Sequence, residues 1–286
     1  MRAPADSSEA SVPAGAPREV PDFRIDFERE RRTRHAVCVF MINEGEKIRK
    51  QLRAMRERAD GLDIVVADGG STDGSLTPEL MSEVDAKVLL VKTGGGKLSA
   101  QMRMAMAYCL NQGYEGLVCI DGNGKDGLDG LPAMRAALEE GWDHVQGSRF
   151  IPGGHHENTP ALRYIAVRLL HAPLISLAAG TRYTDTTNGF RAYSRRLLED
   201  ARIAPLRAIF DQYQLHYHLA IEAARLGFRV KEVPVSRCYP ASGKTPTKIK
   251  GFGGLWRVFR QLTDVCRGKY RVRPHPPPGR GLNDDV

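Results

Sequence analysis

Residues 116–127 read GLVCIDGNGKDG, five small or apolar residues and then a loop of acid, glycine and lysine. So short a run, rich in Val, Ile and Leu, has the pattern of a strand buried on both faces. Residues 63–74, DIVVADGGSTDG, show the same arrangement. Further strand-like runs lie at 36–42, 87–91 and 143–147, and amphipathic helical runs at 46–58, 75–83, 98–111 and 129–140 separate them. Such alternation builds an α/β fold, a mostly parallel central sheet with helices on both faces, whose functional loops gather at the carboxyl ends of the strands.

An Asp in such a loop accepts hydrogen bonds from a base or ribose or coordinates a divalent metal, and glycines let backbone N–H groups approach a ligand. An Asx-turn accounts for one Asp-Gly loop equally well. Two of them after buried strands favour a nucleotide-phosphate site. Other glycine patterns fail: in residues 93–99, TGGGKLS, Leu98 stands where a phosphate-binding loop needs Ser or Thr, and Asn43-Glu44-Gly45-Glu46 after the first strand lacks the dinucleotide fingerprint.

The chain has 286 residues, 42% of them hydrophobic and 27% charged, which excludes wholesale disorder and a polytopic membrane protein. Its net charge of +8 is local, because residues 225–280 hold fourteen Lys and Arg against only Glu232 and Asp264. Phosphorylated substrates, an anionic membrane surface or nucleic acid would meet that stretch. Nucleic acid ranks last, since no stacking-aromatic platform or groove-reading helix accompanies the charge. Five scattered cysteines without a CxxC pair read as reduced thiols. Residues 1–34 and 271–286 are expected to be unstructured tails around a single domain, 35–270, with a nucleotide half (35–150) and an acceptor half (151–270). The most apolar stretch, Ala161 to Ala179, contains Arg163, Arg168, His171 and Pro173 and is not expected to span a membrane. An amphipathic segment through Leu255, Val258, Phe259, Leu262 and Val265 is expected to pack on the domain, with a bilayer surface as the alternative.

The segments VFMINEGEKI (39–48), IVVADGGSTDGS (64–75), YEGLVCIDGNGKD (114–126), WDHVQGSRF (142–150), DTTNGFRAYS (185–194), GFRVKEVPV (227–235) and ASGKTPTKI (241–249) resemble, in order, family-2 glycosyltransferases of the GT-A fold. The similarity is greatest to the branch containing dolichol- and polyprenyl-phosphate mannosyl- and glucosyltransferases, and it runs in register from Val37 to Leu262.

The resemblance implies an inverting transfer of a hexosyl or N-acetylhexosaminyl group from a UDP- or GDP-sugar to a phosphate or hydroxyl acceptor, either polyprenyl phosphate or a small metabolite. It implies donor contacts from Asn43, Glu44, Asp68, Gly70, Lys97, Asp121, Gly122 and Asn123. Asp121 and Asn123 would hold Mg2+ or Mn2+; relatives usually carry a second Asp where Asn123 stands, so one negative charge is lost. Lys125 is placed to supply part of the positive charge that balances the diphosphate. Acceptor or phosphate contacts are implied for Arg149, Asn188, Arg191, Ser242, Lys244 and Lys248. A hydroxyl acceptor needs a base, for which Asp185 and then Asp211 are the candidates, with Arg191 beside them; a lipid phosphate needs none. The loop 151–159 is expected to face the acceptor, and the expected location is cytoplasmic, with peripheral contact at the inner membrane face left open. A nucleotidyltransferase and a catalytically silent nucleotide-sugar-binding protein remain as alternatives.

Overall fold

The computed structural model describes residues 18–240 and 251–272. In chain order the elements are β1 (Phe23–Glu28), β2 (His35–Met41), α1 (Glu46–Arg58), β3 (Leu62–Asp68), α2 (Pro78–Glu83), β4 (Val88–Lys92), α3 (Leu98–Asn111), β5 (Gly116–Asp121) and α4 (Leu131–Glu139). There follow β6 (His144–Ser148), β7 (His155–Glu157), α5 (Ala161–Ala166), a π-helical turn (Val167–His171), α6 (Ala172–Ala179), β8 (Arg191–Ser194) and α7 (Arg195–Glu199). The last elements are α8 (Gln214–Arg225), β9 (Val230–Pro234), β10 (Ser236–Cys238) and α9 (Gly251–Cys266).

Alternating residues of β2 divide between two cores. Ala36, Cys38 and Phe40 pack with Met102, Ala105 and Met106 of α3, whereas Val37, Val39 and Met41 pack with Ile48, Leu52 and Met55 of α1. Burial on both faces is why the strand reads as an unbroken apolar run. Helix α1 forms where the pattern places it, with Ile48, Gln51, Leu52 and Met55 on its inner face, Glu46 in its first turn, and Arg56 and Arg58 in its last.

Eight strands form one sheet in the order β1-β4-β3-β2-β5-β8-β6-β9, and β7 and β10 pair separately in parallel. Strands β2, β3, β4 and β5 run parallel, as do β6 and β9, while β1 and β8 are antiparallel to their neighbours. From β2 the chain builds outward to β3 and β4, then returns to add β5 on the other side. That reversal opens a crevice at the carboxyl ends of β2 and β5, the place where open α/β sheets bind ligands.

Two strands depart from the expected pattern. Residues 23–28, within the segment expected to be a tail, form β1 and cover the edge of β4. Its alternation of Phe23, Ile25 and Phe27 with charged residues is too brief to stand out beside the arginine run that follows. The buried Lys87 ammonium anchors it, donating to the Arg29 carbonyl and lying 3.3 Å from Glu28 Oε1, which also accepts from the Tyr108 hydroxyl. Strand β8 inserts between β5 and β6 and joins the second half of the chain to the first in one sheet. Residues 1–17 and 273–286 lie outside the described residues.

Ala161–Ala179 is long and apolar enough to cross a membrane, yet Val167, His171, Ala172, Ile175 and Ala179 seat one side of it on the domain. Helix α9 buries Leu262 and Val265 in the core that contains α3 and α8. Replacing Leu262 by Ala is therefore expected to cost about 2–5 kcal/mol in urea unfolding; a helix held only by its surface would lose almost nothing.

Candidate active site

The loops after β2 and β3 latch to each other. Asn43, at φ 50°, donates its backbone N–H to Ser71 Oγ and accepts the Thr72 N–H on Oδ1; Gly45 donates to Asp73 Oδ2. Asp68 is buried, and both its oxygens accept from the Ser71 N–H. Gly70, at φ 94°, brings its backbone close to the Lys92 carbonyl. Two buried glutamines brace the crevice from behind. Gln101 of α3 donates to the Met41 and Ala67 carbonyls, and Gln51 of α1 donates to the Asp121 carbonyl while accepting from the Gly124 N–H.

Gly122 is required by contact: a Cβ there would fall 2.7 Å from Met41 Cβ and 2.9 Å from Ile48 Cδ1. The Asp121 carboxylate projects from this tight bend. Arg237 Nη2 lies 3.3 Å from Asp121 Oδ2, and Arg237 Nη1 contacts both Asp126 oxygens at 2.6 Å. Burial alone would lower the Arg237 guanidinium, but the charges of Asp126 and Asp121 outweigh it and hold it above its ordinary value. Lys125 and Arg237 both approach the Tyr239 ring, at 5.6 and 5.7 Å from its centroid, and Arg163 donates to the Tyr239 hydroxyl at 2.9 Å. Burial and the adjacent Arg237 push the Lys125 ammonium below the usual lysine value, with Glu44 and Asp121 opposing. The Asn188-Gly189 turn closes the other side, since a Cβ on Gly189 would sit 3.1 Å from Asp121 Oδ1.

Several residues placed here by sequence do other work. Asp185 is fully buried in a bidentate pair with Arg149, 2.6 Å from Nε and 2.9 Å from Nη2, so it is not a base open to an acceptor hydroxyl. Arg149 is thereby committed, although its buried Nη1 has no hydrogen-bond partner. Arg191 does not clamp phosphate. It is 1% exposed and directs its donors at the carbonyls of Asn188, His216 and Thr186, at 2.9, 2.7 and 2.7 Å. Burial, reinforced by that cation, holds His144 at about 3 and His171 at about 4. Asn188 is buried in an Asx-turn, accepting the Phe190 N–H. Asp211 accepts the Lys97 N–H on Oδ1 and braces the Gly94–Gly96 run rather than the Asp121 cluster, leaving the Lys97 side chain exposed. In the loop expected to face the acceptor, His156 instead packs on Phe150 and Tyr164. Ser242, Lys244 and Lys248 lie outside the described residues.

Arg237, Tyr239, Gln51 and Glu232 join the constellation without a sequence signal that singles them out. Arg237 is one basic residue among fourteen in its segment, and only its buried acid partners distinguish it. Glu232 receives the N–H groups of Thr184 and Asp185 and so positions the turn that carries Asp185.

No protein-family model matches the chain. A polyprenol monophosphomannose synthase of Mycolicibacterium smegmatis is 28% identical over 206 residues, which cover 71% of this chain and 77% of the relative. A dolichyl-phosphate hexose transferase of Haloferax volcanii is 28% identical over 231 residues, 81% of this chain and 93% of the relative. The solved structure of glucosyl-3-phosphoglycerate synthase from Mycobacterium tuberculosis with Mn2+, UDP and phosphoglyceric acid superposes with a TM-score of 0.59 at 17% identity, covering 88% of each chain. The chain is a glycosyltransferase of the GT-A fold.

In this glycosyltransferase the donor set beside the crevice suits a hard divalent cation. Asp121 offers a partly exposed carboxylate and Asn123 an amide oxygen, which already accepts the Lys125 N–H. One or two such oxygen ligands completed by substrate phosphates are the usual arrangement for Mg2+. The division between structural and ligand-facing cations has a direct readout in urea unfolding. Arg191→Leu, which strands three carbonyls, is expected to destabilise the fold by about 3–5 kcal/mol, whereas Lys125→Ala changes stability by less than about 1 kcal/mol.

Proposed function

We propose that this glycosyltransferase moves a sugar from a nucleoside-diphosphate sugar to the phosphate of a polyprenyl phosphate. The observation that carries this reading is the commitment of both candidate bases: Asp185 is locked to Arg149, and Asp211 to the Lys97 loop, while Arg237, Lys125 and Arg163 converge on Tyr239 beside Asp121. A phosphate oxygen is already an anionic nucleophile and needs no base, but it does need cations to hold it. Relatives named for polyprenol and dolichyl phosphate support the same acceptor and a peripheral place at a membrane.

The nucleotide would lie in the crevice against the latched loops of Asn43, Glu44, Asp68 and Gly70, with its diphosphate directed at Asp121. A Mg2+ or Mn2+ ion held by Asp121 and Asn123 would neutralise diphosphate charge, as the metal and UDP in the solved neighbours suggest. The acceptor oxygen bonds to the anomeric carbon from the face opposite the diphosphate. The bond from that carbon to the diphosphate oxygen breaks, the nucleoside diphosphate leaves with the electron pair, and the configuration inverts. Lys125, positioned beside the buried Arg237 at the Tyr239 ring, stabilises the negative charge as it develops on the leaving group, in a site partly shielded from water.

Incubation of the protein with UDP- and GDP-sugars, Mn2+ and polyprenyl phosphate is expected to give a lipid-linked sugar and nucleoside diphosphate. Release of pyrophosphate, or transfer to phosphoglyceric acid alone, would reject this reading. Lys125→Ala is expected to lower kcat by about 10²-fold. Because Lys125 is active as the cation and its value is lowered, activity should fall as pH rises through that lowered value. Lys125→Arg should extend activity to higher pH, measured as the alkaline limb of kcat.

A further inference from the structure

The helical stretch Ala161–Ala179 is apolar on both sides. Its inner side supplies Val167, Ala172, Ile175 and Ala179 to the domain, yet its outer side carries Leu162, Ile165, Leu169, Leu170 and Leu177, at intervals that keep them along one stripe. Leu162, Leu169 and Leu177 are 75, 76 and 82% exposed. Leaving one such side chain in water is ordinary, whereas four leucines and an isoleucine along one helical stretch mark a surface meant to be covered.

We propose that this stripe docks the enzyme on an anionic bilayer, presenting the phosphate-binding cations at the lipid interface. The inference rests on the polyprenyl-phosphate reading above for its purpose, and on the stripe itself for its place. Two features favour a lipid surface over a second copy of the chain. Residues 161–180 contain Arg163 and Arg168 and no acid. Two copies of a surface with that charge repel, but an anionic headgroup layer attracts it. The stripe also begins at the active site. Arg163, next to Leu162, donates to the Tyr239 hydroxyl; Arg237 lies over the same ring and contacts Asp121. A phosphate carried on a lipid of the leaflet beneath the stripe is thus presented to the cation cluster without leaving the membrane.

The full-length protein is tested by flotation with phosphatidylcholine vesicles with and without phosphatidylglycerol, alongside the triple variant L162Q/L169Q/L177Q. Wild type is expected to float with the anionic vesicles and to bind neutral ones roughly tenfold more weakly. The triple variant is expected to lose about 100-fold in partitioning, with its melting temperature unchanged because the three side chains are already exposed. Transfer to a water-soluble short-chain polyprenyl phosphate should stay within about twofold of wild type in the variant, and transfer to the same phosphate embedded in vesicles should collapse. Equal flotation of wild type and variant overturns the docking surface while leaving the acceptor reading intact. A wild-type dimer that dissociates in the variant assigns the stripe to a second copy and overturns it as well. Anionic-vesicle binding that the variant loses, with no transfer to either lipid phosphate, upholds the docking surface and rejects the acceptor reading alone.

Discussion

Arg237 ties the two halves of the chain together at the carboxylate on which the site is centred. Its guanidinium is buried between Asp121, the last residue of β5, and Asp126, in the loop that follows, while its backbone belongs to β10 late in the sequence. Burying such a cation costs several kcal/mol of hydration, and the attraction of two acids offsets that cost without making the arrangement a large source of stability. What the arrangement contributes is position. The orientation of Asp121, the placement of Tyr239 and the depressed value of Lys125 all refer back to where that guanidinium sits.

The same economy of charge runs through the interior. Four arginines are buried among the described residues, and each is held differently: Arg103 by the Phe210 carbonyl, Arg149 by the Asp185 carboxylate, Arg191 by three backbone carbonyls, and Arg237 by two acids. Arg191 holds the turn that brings Gly189 against Asp121, and Glu232 holds the N–H groups of the turn just before it. A buried polar network of this kind works when each member has partners, because a stranded group forfeits its hydration with nothing in return. Beside Asp121, the described cations that are not spent on an acid are Lys125 and Arg163, and both lie against Tyr239.

Helices α1 and α3 fall within the bounds that periodicity assigns them, Glu46–Arg58 and Leu98–Asn111, because their apolar faces are long enough to repeat several times. Strand β1 escapes the same reading, since three alternating apolar residues among charges carry little pattern. Asp68 shows the limit for loops. Its Asp-Gly sequence suits both a ribose contact and an Asx-turn, and the Ser71 N–H takes both its oxygens. The turn that carries Asp185 and Arg191, TDTTNGFR, looks alike in sequence whether it opens on a ligand or folds into the core. Their partners stand 36 residues away at Arg149 and 25 away at His216, beyond the reach of local pattern.

By itself, then, the sequence determined the class of fold and the placing of the Asp68 and Asp121 loops at the carboxyl ends of their strands. These follow from hydrophobic period and from short-range loop chemistry, both written within a few residues of each other. The tertiary structure alone decided which charges are spent on the protein and which remain for a ligand, and that the outer side of Ala161–Ala179 is left exposed by the described residues. The reason is physical: desolvation and pairing depend on what packs around a side chain, and for Asp185, Arg191 and Arg237 that surrounding is assembled from segments far apart in the chain.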